Sequence, residues 1–91
     1  MLVMHPSLLP RYRGATPIQH ALLNEDKTTG VSIISISKGK FDAGALLWQR
    51  KQVVAPGETF LTLSEKLTVH GGDGLFDVVS DYQTYINAGK D

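Results

Sequence analysis

The spacing of hydrophobic residues changes along the chain, and each change predicts an element. Met1-Leu2-Val3-Met4 is continuously apolar and reads as the end of a strand. From His5 to Gly14 the pattern breaks. Pro6 and Pro10 exclude a regular helix or a central strand there, which leaves a stiff loop. Thr16-Pro17-Ile18-Gln19 predicts a helix start, with Thr16 as cap, Pro17 in the first turn and Gln19 reaching back to close a capping box. Ile18, Ala21 and Leu22 share a face, and the helix is expected to end near Asn24. Glu25 through Gly30 is polar and turn-like. Val31-Ser32-Ile33-Ile34-Ser35-Ile36-Ser37 is rich in β-branched residues and reads as a strand, as does Ala45 through Val54. Pro56-Gly57-Glu58-Thr59 opens a helix whose apolar positions are Phe60, Leu63 and Leu67, with Leu61 beside them. Gly71-Gly72-Asp73-Gly74 is expected to interrupt it, because an interior glycine costs about 1 kcal/mol against alanine. Leu75, Val78, Val79, Tyr82 and Ile86 then resume the helical period.

This order (strand end, loop, helix, two strands, helices) is α/β. Residues 1–86 form one partial domain and 87–91 a frayed tail. So few strands rarely cover their own faces, so Ile33, Ile34, Ile36, Leu46 and Leu47 are expected to leave an apolar sheet face open to self-association. Composition narrows the function. With 42% hydrophobic and 20% charged residues the chain is globular and not disordered. Nine basic against nine acidic residues give no global field for nucleic acid. The absence of cysteine excludes a disulfide framework, a thiolate nucleophile and a cysteine-ligated metal. No apolar run approaches the roughly 20 residues of a membrane span, and the first residues do not form a signal peptide.

Several residues could carry chemistry. His5 stands where a strand turns into a loop, an address for an imidazole acting as general acid or base; it could equally cap a turn. Asp42, in the Phe41-Asp42-Ala43-Gly44 turn, could hold a proton or simply bond local amides. Ser7, Leu8, Leu9 and Pro10 make a stiff apolar loop able to line a pocket for a flat heterocycle. Arg11 and Arg13, interleaved with Tyr12, could touch phosphate. His5, His20 and His70 match no metal spacing, and Gly71–Gly74 lacks the lysine-serine ending of a phosphate loop.

Taken as a run, His5-Pro6-Ser7-Leu8-Leu9-Pro10-Arg11-Tyr12-Arg13-Gly14-Ala15-Thr16-Pro17-Ile18-Gln19 resembles the signature of the folate-dependent formyltransferases. Among them it is most similar to those that formylate methionyl-tRNA. The likeness continues through Asp26, Thr29-Gly30-Val31-Ser32-Ile33, Asp42-Ala43-Gly44, and Thr59 with Leu63, Lys66 and Leu67. The resemblance implies the carboxy-terminal half of a Rossmann-like catalytic domain. It implies that His5 and Asp42 are catalytic, and that Ser7, Leu8, Leu9 and Pro10 contact the folate. The donor it implies is 10-formyltetrahydrofolate, with no metal, and the acceptor is the amino group of methionyl-tRNA, in translation initiation; the alternative is another formyltransferase or hydrolase that uses the same donor and shares the histidine and the aspartate. Arg11 and Arg13 would lie toward the tRNA.

The chain also departs from that pattern. Val3 occupies the position of a catalytic asparagine, and one missing oxyanion donor slows such reactions about a hundredfold to a thousandfold. The first half of the catalytic domain and the tRNA-holding domain are not in this sequence, so the chain is expected to be inactive alone, or a non-catalytic interaction module. Ser37-Lys38-Gly39-Lys40-Phe41 resembles mitochondrial versions, which points to a mitochondrial relative, although no targeting segment is read here.

Overall fold

A computed structural model of the chain describes residues 2–36 and 45–88. The elements are β1 (Leu2–His5), α1 (Pro17–Leu23), β2 (Thr28–Ser35), β3 (Ala45–Val53), α2 (Phe60–Ser80) and α3 (Tyr82–Ala88). The three strands form one antiparallel sheet in the order β1-β2-β3. The mixed α/β class therefore holds, with an all-antiparallel sheet among the described residues. Asp42 and the turn that carries it lie outside them.

The register divides the sheet into two faces. Ile33 pairs with Met4 on one side and Trp48 on the other, and these share a face with Val31. Helix α2 packs there, sinking Leu63, Leu67 and Val78 against Val31 and Ile33, with Ile18 of α1 and Leu47 of β3 in the same cluster. Burying one such side chain stabilises by about 1.5–3 kcal/mol. The second face carries Val3, His5, Ser32 and Gln49, where His5 pairs with Ser32 and Ser32 with Gln49.

Four expectations need correction. First, α2 runs unbroken through Gly71-Gly72-Asp73-Gly74. Gly71 and Gly74 face the sheet. A Cβ at Gly71 would lie 2.9 Å from Met4 Cγ, and one at Gly74 would lie 2.5 Å from the Trp48 ring. The glycines bring helix and sheet into close contact, and that packing outweighs their low helix propensity. Second, β2 begins at Thr28, so the turn is shorter than its polar composition suggests. Third, Thr16 makes no side-chain cap; its carbonyl instead accepts the His20 N–H at 3.1 Å. The capping box belongs to α2, where Thr59 and Thr62 bond each other's backbone N–H. Fourth, the expected open sheet face is largely closed. Ile33, Ile34 and Leu47 are buried, and Leu46 alone of the five is exposed. Exposed apolar side chains lie instead on the outer side of α2, at Leu61, Val69, Phe76 and Val79.

Just ahead of α2, Glu58 bonds Lys66 and Thr62. The Lys66 ammonium, then the Thr62 hydroxyl, hold its carboxyl below the ordinary glutamate value.

Candidate active site

The loop that leaves β1 folds back over the second face of the sheet. It lies so close that a Cβ at Gly30 would sit 2.5 Å from Leu8 Cδ2, while the Arg50 carbonyl oxygen of the neighbouring β3 would be 2.2 Å away. Ser32 fastens it. Its buried hydroxyl donates to the Ser7 carbonyl at 2.7 Å and accepts from the Leu9 N–H at 3.1 Å and from Gln49 Nε2 at 3.0 Å. One donor and two lone pairs are all used, so the group is fully satisfied. Gln49 Nε2 also donates to the Leu9 carbonyl at 3.1 Å.

Within the loop, Ser7 is completely buried. Its hydroxyl donates to the Arg11 carbonyl at 2.7 Å, and its N–H donates to the His5 carbonyl at 2.8 Å. Ser7 thus shapes the loop from inside. Leu8 and Leu9 are half-buried and Pro10 is exposed, so these three leave apolar surface open to solvent.

His5, the last residue of β1, is buried. Its Nε2–H donates to the Tyr12 carbonyl at 2.8 Å. A carbonyl only accepts, so the proton of the neutral ring sits on Nε2. In that tautomer Nδ1 carries the lone pair and is the accepting nitrogen of the ring. Val3, two positions earlier on the same strand, is on the same face and brings no polar atom.

The predicted arginines do not behave alike. Arg11 lies 3.5 Å from Asp26 and over the Tyr12 ring, 5.0 Å from its centroid, with its side chain 60% exposed. Arg13 is exposed and takes part in an interaction of its own. The structure therefore gathers His5 with Ser7, Leu8, Leu9 and Pro10, and puts Arg11 at the outer rim. Sequence reading missed Ser32 and Gln49 as anchors of the loop. The available signal was a serine between Val31 and Ile33, a hydroxyl in a buried run that needs partners. A cleft of about 400 Å³ opens elsewhere, lined by Leu22, Asp26, Val54, Pro56 and Glu58 among others, and holds none of the predicted site residues. Among the described residues no three metal-ligating side chains converge, and no helix is long and apolar enough to cross a membrane.

Residues 1–79, the span that contains this loop and sheet, match the formyl transferase family. The chain belongs to that family. It is 42% identical over 83 residues to the methionyl-tRNA formyltransferase of Wolbachia pipientis subsp. Culex pipiens, a match over 91% of this chain and 27% of the relative. Its fold overlays the phosphoribosylglycinamide formyltransferase of Bacillus Halodurans with a TM-score of 0.70 and 31% identity, over 77% of this chain and 36% of that one. It also overlays WlaRD, a sugar 3N-formyl transferase solved in the presence of dTdp and 5-N-Formyl-THF, with a TM-score of 0.81 and 26% identity, over 100% of this chain and 32% of that one. This formyl transferase chain thus spans about a quarter of the length of the Wolbachia relative.

Proposed function

We propose that the chain supplies the histidine and folate-loop part of a methionyl-tRNA formyltransferase. The observation that carries this reading is the one run His5–Gln19, folded so that the His5 ring is held by the Tyr12 carbonyl of the same loop whose Leu8, Leu9 and Pro10 keep apolar surface accessible. The 42% identity to a methionyl-tRNA enzyme, over nearly the whole chain, favours that acceptor. The loop residues suit a flat folate: two half-buried leucines and an exposed proline give an apolar edge, while the Leu9 amide and carbonyl are already held by the sheet.

The formyl donor, 10-formyltetrahydrofolate, supplies a formyl carbon on a nitrogen leaving group. The acceptor amine forms a bond to that carbon, the bond to the donor nitrogen breaks, and one proton passes from the amine to the departing nitrogen. His5 acts from Nδ1, donating to the developing oxyanion when protonated there. Asp42 takes up and returns the amine proton. Arg11 and Arg13 contact the phosphates of the tRNA. The basic Ser37–Phe41 stretch supports a mitochondrial setting, which fractionation of cells expressing a tagged protein would test.

The test is transfer of labelled formyl to methionyl-tRNA, glycinamide ribonucleotide or water. It is run with the chain alone and with the chain joined to the flanking segments of the Wolbachia relative. We expect label on methionyl-tRNA in the joined protein, lost on His5→Ala, and a rate raised about a hundredfold to a thousandfold by Val3→Asn. Label on glycinamide ribonucleotide or in free formate overturns the acceptor. A joined protein inactive with either residue at position 3 favours the second reading, a non-catalytic interaction module, for which Val3 is the supporting observation.

A further inference from the structure

We propose that Tyr12 is a positioning residue for His5, and that Asp26 acts through it from the connection between α1 and β2. This rests on the reading of His5 as the reacting imidazole. Tyr12 meets His5 through its backbone, where the carbonyl accepts the Nε2–H at 2.8 Å. That carbonyl reaches the ring because Tyr12 stands at φ 53°, in the left-handed region. A non-glycine residue there is strained by about 1–3 kcal/mol and stays only when its surroundings hold it.

The surroundings are the side chain's. The phenol donates to Asp26 Oδ2 at 2.6 Å and accepts from Asn24 Nδ2 at 3.0 Å. One face of the ring region is met by the Arg11 guanidinium, 5.0 Å from the centroid, and the ring stacks on His20 at 5.7 Å. Asp26 is itself fixed, since its N–H donates to the Ala21 carbonyl at 3.0 Å at the end of α1, and its side chain is only 14% exposed. A contact 14 residues along the chain thereby sets where the Tyr12 carbonyl points. The carbonyl in turn fixes the ring proton and the plane of the imidazole, and so aims Nδ1. Asp26 anchors the loop that orients the histidine.

The test reads the His5 ring directly and uses the 91-residue chain without any formyl donor. Exchange of the His5 Nε2–H with solvent is followed by NMR in Tyr12→Phe, Asp26→Ala and Asp26→Asn, with the amides of Leu63 and Leu67 as internal reference. Loss of the phenol clasp is expected to speed His5 ring exchange roughly fivefold in Asp26→Ala, the fold-change for about 1 kcal/mol of one hydrogen bond, and at least as much in Tyr12→Phe, which also removes the Asn24 and Arg11 bonds to the phenol. Asp26→Asn is expected to restore most of the protection, because an amide oxygen still accepts from the phenol. The reference amides should not change. Unchanged ring exchange in both disruptive variants overturns the proposal. So does an equal acceleration of the Leu63 and Leu67 amides, which would make the clasp a general stabiliser with no particular hold on His5. If Tyr12→Phe fails to fold, the two Asp26 variants decide alone. Because no transfer is measured, a negative result here is distinct from failure of the formyltransferase reading.

Discussion

The two faces of the sheet are built on opposite principles. Against α2 the contact is dry: Val31 and Ile33 meet Leu63, Leu67 and Val78, and two helical glycines remove the side chains that would hold the layers apart. Against the loop the contact is polar: Ser32 and Gln49 reach up from the strands to a backbone that forms no regular structure of its own. A helix has already paired its own N–H and C=O groups, so shape and apolar area suffice to dock it. A loop arrives with its backbone groups unpaired and must find partners for them on the surface it covers. The lesson is that the same β2 strand serves both by alternation, with Val31 and Ile33 down and Ser32 up.

Leu67→Ala attacks the dry side. It should destabilise the chain by about 2–5 kcal/mol, seen as a lower urea midpoint with an unchanged slope. A loss well below that range would mean the helix is not docked where described. Gly74→Ala adds a methyl that must displace the Trp48 ring; about 1–3 kcal/mol is expected in the same measurement. Ser32→Ala attacks the polar side and leaves the Leu9 N–H without its partner, at a cost of about 1–3 kcal/mol. Its signature should differ: Leu9 amide exchange accelerates well before the Leu63 and Leu67 amides respond, and Ser32→Thr retains the protection. If all amides loosen together, the two faces are one cooperative unit and the contrast fails.

The smallest effect is expected away from both faces, at Glu58. Its carboxyl is held below the ordinary value by Lys66 and then Thr62, so the folded state favours the ionised form. That contribution is complete above the unfolded-state value and is lost as pH falls through the lowered folded value. Glu58→Gln should therefore be less stable than the native chain at pH 7, with the two urea-midpoint curves converging in acid. Curves that stay parallel across that window would show that the Lys66 pairing contributes nothing.

Much of this was legible beforehand because it is local. The prolines at positions 6 and 10 dictate a loop, Pro17 starts α1, and the β-branched run from Val31 dictates a strand, each through the dihedral limits of single residues. The His5–Gln19 run pointed to the formyl transferase family for the same reason, since it is contiguous in the chain. Reading failed at Gly71–Gly74, where the propensity of single glycines argued for a break and the approach of Met4 and Trp48 explains a continuous helix. It failed at Thr16, where a capping sequence exists but its side chain makes no cap.

By itself, then, the sequence determined the order of the elements, the place of the loop after β1 and the family. Only the tertiary structure decided that Ser32 and Gln49 hold that loop, that the Tyr12 carbonyl takes the His5 proton, and that Asp26 steadies Tyr12. The physical reason is separation along the chain. Backbone propensities act over a few neighbouring residues, whereas these hydrogen bonds join groups as far as 40 positions apart, and nothing local marks which distant donor will arrive.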